Sequence, residues 1–138
     1  MVLAGRLHPL LVHFPIALIL CAAAAELAAM WTRRPIWQAL AFIQTRAGAL
    51  CAAGTAAAGW LLASAPDVDR SMALEWHRWL ALVATGATLI AATTTFGAPQ
   101  STSRRRLYRV LLFVSAAAIG VAAHLGAALV WGANFLHL

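Results

Sequence analysis

Apolar residues in this chain gather into four long runs, at about 14–31, 39–63, 73–96 and 107–133. No strand-like alternation breaks them up. Each run is near the ~20 residues that carry a helix across ~30 Å of hydrocarbon. The pattern predicts helices over about 9–31, 39–63, 73–96 and 107–133, all in a single transmembrane domain, residues 1–138. His8-Pro9 opens the first helix, where proline fits the first turn. Pro15, six residues on, predicts a bend and a loosened backbone around His13. Short connections favour antiparallel neighbours, so the expected fold is all-α: an integral membrane four-helix bundle, up-down-up-down.

Composition agrees with that reading. Hydrophobic residues make up 63% and charged residues 10% of 138 residues, with mean hydropathy +0.82. A soluble fold of this size cannot hide so much apolar surface. The net charge of +6 raises nucleic acid as a partner, but the arginines form no basic stripe on a soluble surface. Arg33 and Arg34 separate the first two runs, and Arg104, Arg105, Arg106 and Arg109 separate the last two. Arginine-rich connections mark the cytoplasmic side. The N- and C-termini and the middle connection then face outward, to the periplasmic side of a bacterial inner membrane. The first run is too long for a secretory signal and closes on Trp31 and two arginines, so it is expected to be retained. Cys21 and Cys51 read as apolar packing residues, and without C-x-x-C-H no covalent c-type haem attachment is expected.

Candidate chemistry centres on histidine. His8, His13, His77 and His124 all fall in the outer half of the bundle, while His137 is only a tail residue. Ionisable groups at membrane depth are costly and usually functional. His13 lies ~6 Å inside Pro9, and His124 ~10 Å inside Trp131, at 1.5 Å per residue. His8 and His77 lie shallower. Imidazoles on facing helices hold b-type haem iron, and the depth match favours His13 and His124 as the axial pair, with His77 next. Ala117, Gly120, Val121, Ala127 and Ala128 form a smooth groove beside His124 for a porphyrin, and Gly54 and Gly59 offer clearance on the second helix. Arg6 and Arg78 would meet propionates. His8 and His77 could serve a second haem. Deeper in, Glu26 and Arg46 on adjacent helices read as an ion pair, structural or at a proton or quinone site. The first and third helices both open with a histidine, but no further internal repeat is evident.

The segment HPLLVHFPIAL resembles the opening of a bacterial membrane family, domain of unknown function 2231. The final HLGAALVWGANFL is similar to the ending of members found beside c-type cytochromes, with Ala127 in place of a glycine and Trp131 where some relatives carry another histidine. The resemblance covers nearly the whole chain and implies four helices and redox chemistry at the outer face. Together these readings lead to a haem-binding electron-transfer subunit, carrying one or two haem b between the quinone pool and an outer cytochrome in a hetero-oligomeric complex. The alternatives are a non-haem copper or zinc site and a non-catalytic membrane anchor. A complete enzyme is not expected from four helices without a soluble domain.

Overall fold

The structure, a computed structural model, describes residues 7–66, 68, 70–97 and 101–132. Among them it is wholly helical. Helix α1 (His8–Leu11) runs almost directly into α2 (His13–Thr32), followed by α3 (Pro35–Ala63), α4 (Met72–Thr94) and α5 (Thr102–Trp131). The interruption falls at Val12, whose φ of −59° and ψ of −29° remain helical. Pro15 explains it. Proline has no N–H to bond the carbonyl four residues back, which belongs to Leu11. Thr55 on α3 supplies the missing donor, its Oγ1 lying 3.3 Å from Leu11 O.

The helix ends follow local chemistry and differ from the expected limits. Arg33 closes α2 in the left-handed region at φ 56°, its N–H bonding Ala29 O at 3.0 Å. Arg34 is then extended and Pro35 occupies the first turn of α3, so that helix starts four residues before residue 39. Ser71 caps α4 by accepting from Leu74 N at 3.2 Å. Ser101 caps α5 by accepting from Arg104 N at 3.3 Å. This cap starts α5 at Thr102, ahead of residue 107, and places Arg104, Arg105, Arg106 and Arg109 in the helix rather than in a loop. Such caps are worth about 1 kcal/mol each.

Packing is inverted relative to a water-soluble bundle. Apart from Ile19, Tyr108, Leu112 and Ile119, every buried hydrophobic residue is alanine. Leu50, Val110 and Val130 are exposed instead, as are many other large apolar side chains. Small residues inside let helix backbones approach closely where lipid covers the outside. Hydroxyls fill the remaining inner positions. Thr88 donates to Ala84 O at 2.7 Å, and Ser115 donates to the same carbonyl at 2.9 Å. Tyr108 donates to Thr45 Oγ1 at 3.1 Å, since that hydroxyl is itself donating to Ala41 O.

All six tryptophans are exposed and sit near helix ends. Trp31 and Trp37 mark one end of the bundle, and Trp60, Trp76, Trp79 and Trp131 the other. Tryptophans gather at the headgroup level of membranes. Two helical stretches, His8–Thr32 and Thr102–Trp131, are long and apolar enough to cross a bilayer by composition alone. The expectation of four such spans is thus only partly met. Helix α3 is diluted by glycines, Gln44 and Arg46, and α4 opens with His77 and Arg78.

Candidate functional site

The histidine that opens α1 and the one in the second turn of α4 meet. The rings of His8 and His77 are 6.2 Å apart, centroid to centroid, with their planes at 85°. Each is anchored in the same way to a different helix. His8 Nδ1 donates to Thr55 O on α3 at 3.0 Å. His77 Nδ1 donates to Ala122 O on α5 at 2.8 Å. Four residues beyond each carbonyl stands a glycine on which the ring rests. A Cβ on Gly59 would come within 2.7 Å of His8 Cε1, and one on Gly126 within 3.0 Å of His77 Cε1. Glycine is required at these two places because the ring occupies the side-chain volume.

The match between the two halves continues along the helices. Eleven residues after His8 comes Ile19, which packs on Gly48. Eleven residues after His77 comes Thr88, whose hydroxyl packs against that of Ser115. Gly48 and Ser115 each lie seven residues before the carbonyl that anchors the histidine. Eighteen residues after the two histidines come Glu26 and Thr95, and each receives an arginine from the other half. Arg109 Nε reaches Glu26 Oε1 at 2.8 Å, while Arg46 bonds Thr95 Oγ1 at 2.7 Å and Thr95 O at 2.5 Å. The bundle is therefore two like-built hairpins, α1–α3 and α4–α5. From the sequence no such repeat was expected, the shared opening histidine being too weak a sign of one.

The tautomer follows from the anchors. A carbonyl only accepts, so Nδ1 carries the proton in both rings, and the neutral imidazole keeps its lone pair on Nε2. Neither Nε2 has a hydrogen-bond partner among the described residues. A histidine held through Nδ1–H on a backbone carbonyl is the usual support for a metal-ligating ring. Ring centroids 6.2 Å apart bring the two imidazoles near enough to share one metal ion at ~2.0–2.1 Å bond lengths. Among the described residues no three His, Cys, Asp or Glu side chains are grouped to hold a bare ion. The four histidines therefore do not form one cluster; a pair does.

The other expected site residues lie elsewhere. His13 is exposed, with Nδ1 3.4 Å from Leu10 O. His124 is exposed as well, on the face it shares with Ala117, Gly120 and Val121. A Cβ on Gly120 or Gly54 would meet nothing within 4 Å, so the groove beside His124 opens to the outside of the bundle. Arg78 stacks on Trp60, its guanidinium carbon 4.0 Å from the ring centroid, at the same end as His77. Arg6 and His137 fall outside the described residues. Cys21 and Cys51 are free thiols. The expected Glu26–Arg46 pair is replaced by Glu26–Arg109, because Glu26 faces α5 whereas Arg46 points to the end of α4 and lies over Phe96.

A helical bundle with small residues inside, large apolar residues outside and tryptophans at its ends defines a membrane protein with a twin-histidine centre. Residues 5–135 match the family described as a predicted membrane protein, domain of unknown function 2231, and the chain belongs to that family. No curated protein and no solved structure matches it.

Proposed function

We propose that this protein is a membrane-embedded electron-transfer subunit whose metal centre is held by Nε2 of His8 and Nε2 of His77. The observation that carries the reading is the pair itself: two half-buried rings, each with Nδ1–H fixed on a helix carbonyl and Nε2 without a hydrogen-bond partner among the described residues. Haem b fits the donor set best. Haem iron would ask two imidazoles of the protein, the number that His8 and His77 offer. A structural zinc ion asks for four ligands, and no third donor joins the pair among the described residues. When bound, the haem would supply a one-electron couple. His8 and His77 would hold it, Thr55 O and Ala122 O would fix the ring tautomers, and Arg78 would be offered to an acidic edge group.

In this reading the bundle is multi-pass, up-down-up-down, in a bacterial inner membrane. The histidine end and both termini face outward, and the arginine end faces the cytoplasm. The residue pairing of α2 with α3 and of α4 with α5, early positions against late ones, supports that course. The subunit would exchange electrons with the quinone pool and with an outer c-type cytochrome or other oxidoreductase in a hetero-oligomeric complex. The test is an absorption spectrum of protein purified from haem-replete cells, oxidised and reduced, beside elemental analysis. A Soret band lost in His8→Ala or His77→Ala supports the assignment. Stoichiometric copper or zinc without a Soret band replaces haem with that metal, and absence of both overturns the site.

A further inference from the structure

The opposite end of the bundle carries a cavity that electron transfer at the histidines does not use. Its volume is about 460 Å³, and Glu26, Arg33, Arg34, Gln38, Arg105 and Arg109 contribute to its lining. That size falls within the ~300–1,000 Å³ typical of small-molecule sites. Four guanidinium groups face one carboxylate, and that carboxylate is already paired with Arg109. Among the described residues no other acid offsets them: Glu75 lies in the first turn of α4, away from the lining.

Two buried polar atoms of the lining residues have no partner among the described residues: Arg105 Nε and Glu26 Oε2. Buried donors and acceptors in folded proteins are nearly always satisfied. The first calls for an acceptor and the second for a donor. A phosphate diester with a neighbouring hydroxyl offers both. The residue choice points the same way. All ten basic residues of the chain are arginine, whose planar fork matches phosphate oxygens in pairs of bonds. Backbone shape completes the cradle. Arg33 adopts the left-handed region at φ 56°, where glycine is the usual choice, and this turn carries both Arg33 and Arg34 to the rim.

We infer that this cavity binds a glycerol phosphodiester, the headgroup of phosphatidylglycerol, at the arginine end of the bundle. Basic pockets between membrane helices on the cytoplasmic side take anionic headgroups in this way. The arginines would grip the phosphate, while Glu26 would accept from a glycerol hydroxyl.

The experiment is native mass spectrometry of the full chain in detergent, titrated separately with phosphatidylglycerol, phosphatidylcholine and inorganic phosphate. The expected result is one phosphatidylglycerol per chain, bound about ten-fold tighter than phosphatidylcholine. Arg34→Gln with Arg105→Gln should bring the two lipids level. Arg106→Gln, which removes one charge beside but not in the cavity lining, should keep the preference. Arg105→Lys, which keeps charge but removes Nε–H, should lose several-fold and serves if the double variant does not fold. Inorganic phosphate that binds and displaces the lipid shows that the phosphate alone provides the contact. Equal affinity of the intact protein for both lipids overturns the proposal, as does a preference that falls equally with Arg106→Gln. Neither outcome bears on the Soret band of the histidine pair.

Discussion

The two ends of the bundle solve opposite problems with the same hairpin. At the histidine end, imidazole rings lie on glycines and bond helix carbonyls, so recognition rests on backbone approach. At the arginine end, long cationic side chains cross between hairpins to Glu26 and to Thr95, so cohesion rests on charge. The equivalence of positions eighteen residues past each histidine makes the contrast instructive. One hairpin places a carboxylate there and the other a hydroxyl, and the carboxylate contributes to a cavity lining. Repetition supplies the scaffold and the histidine pair, and a departure from repetition supplies the carboxylate at the cavity.

The largest expected effect tests the histidine end. His8→Ala and His77→Ala should each abolish metal or haem retention, while His13→Ala and His124→Ala should leave it near wild type. Absorbance and metal content of the purified proteins decide this, and the reverse pattern would move the centre to the outward face. Next comes the arginine end. Arg109→Leu leaves Glu26 buried and unpaired, and should destabilise the bundle by about 3 kcal/mol, the lower end for a broken buried pair because Arg109 keeps solvent contact. Chemical unfolding in detergent measures it, and an unchanged midpoint would show that the charge is dispensable.

Smaller effects sharpen the contrast. Gly59→Ala should displace the His8 ring and weaken metal retention, whereas Gly54→Ala, with open space around it, should gain up to about 1 kcal/mol from helix propensity. If both alanines behave alike, the ring does not rest on Gly59 in the working protein. Tyr108→Phe should cost about 1 kcal/mol through the lost bond to Thr45, with no change in the absorption spectrum. That variant probes the interior between the two ends and should leave the chemistry of each intact.

The sequence reveals height along a helix far better than direction around it. Runs of apolar residues, which fold as helices, were legible. The pairing was not. His13 follows His8 by five residues, and at ~100° per residue it points ~140° away from a ring that faces inward. His124 lies two residues from Ala122, a rotation of ~200° that turns it from His77 to the outside. Depth alone therefore favoured the pair that the helix faces separate. The seats of the rings were present in the chain as a carbonyl residue and a glycine four apart, Thr55 with Gly59 and Ala122 with Gly126. Reading them required knowing which helices touch. Glu26 was similarly recognised as special, but its partner comes from α5, not from its neighbour in sequence.

The alanine interior has a consequence for how this protein tolerates change. Its two faces differ by volume more than by chemistry. Outward positions such as Leu50, Val110 and Val130 should accept almost any apolar replacement in a saturation scan. Inward positions such as Ala22, Ala41, Ala84 and Ala91, all nearly inaccessible, should reject leucine as firmly as they reject a charge. A substitution map of this chain would thus trace its helix faces by side-chain size, where the map of a soluble bundle traces them by polarity.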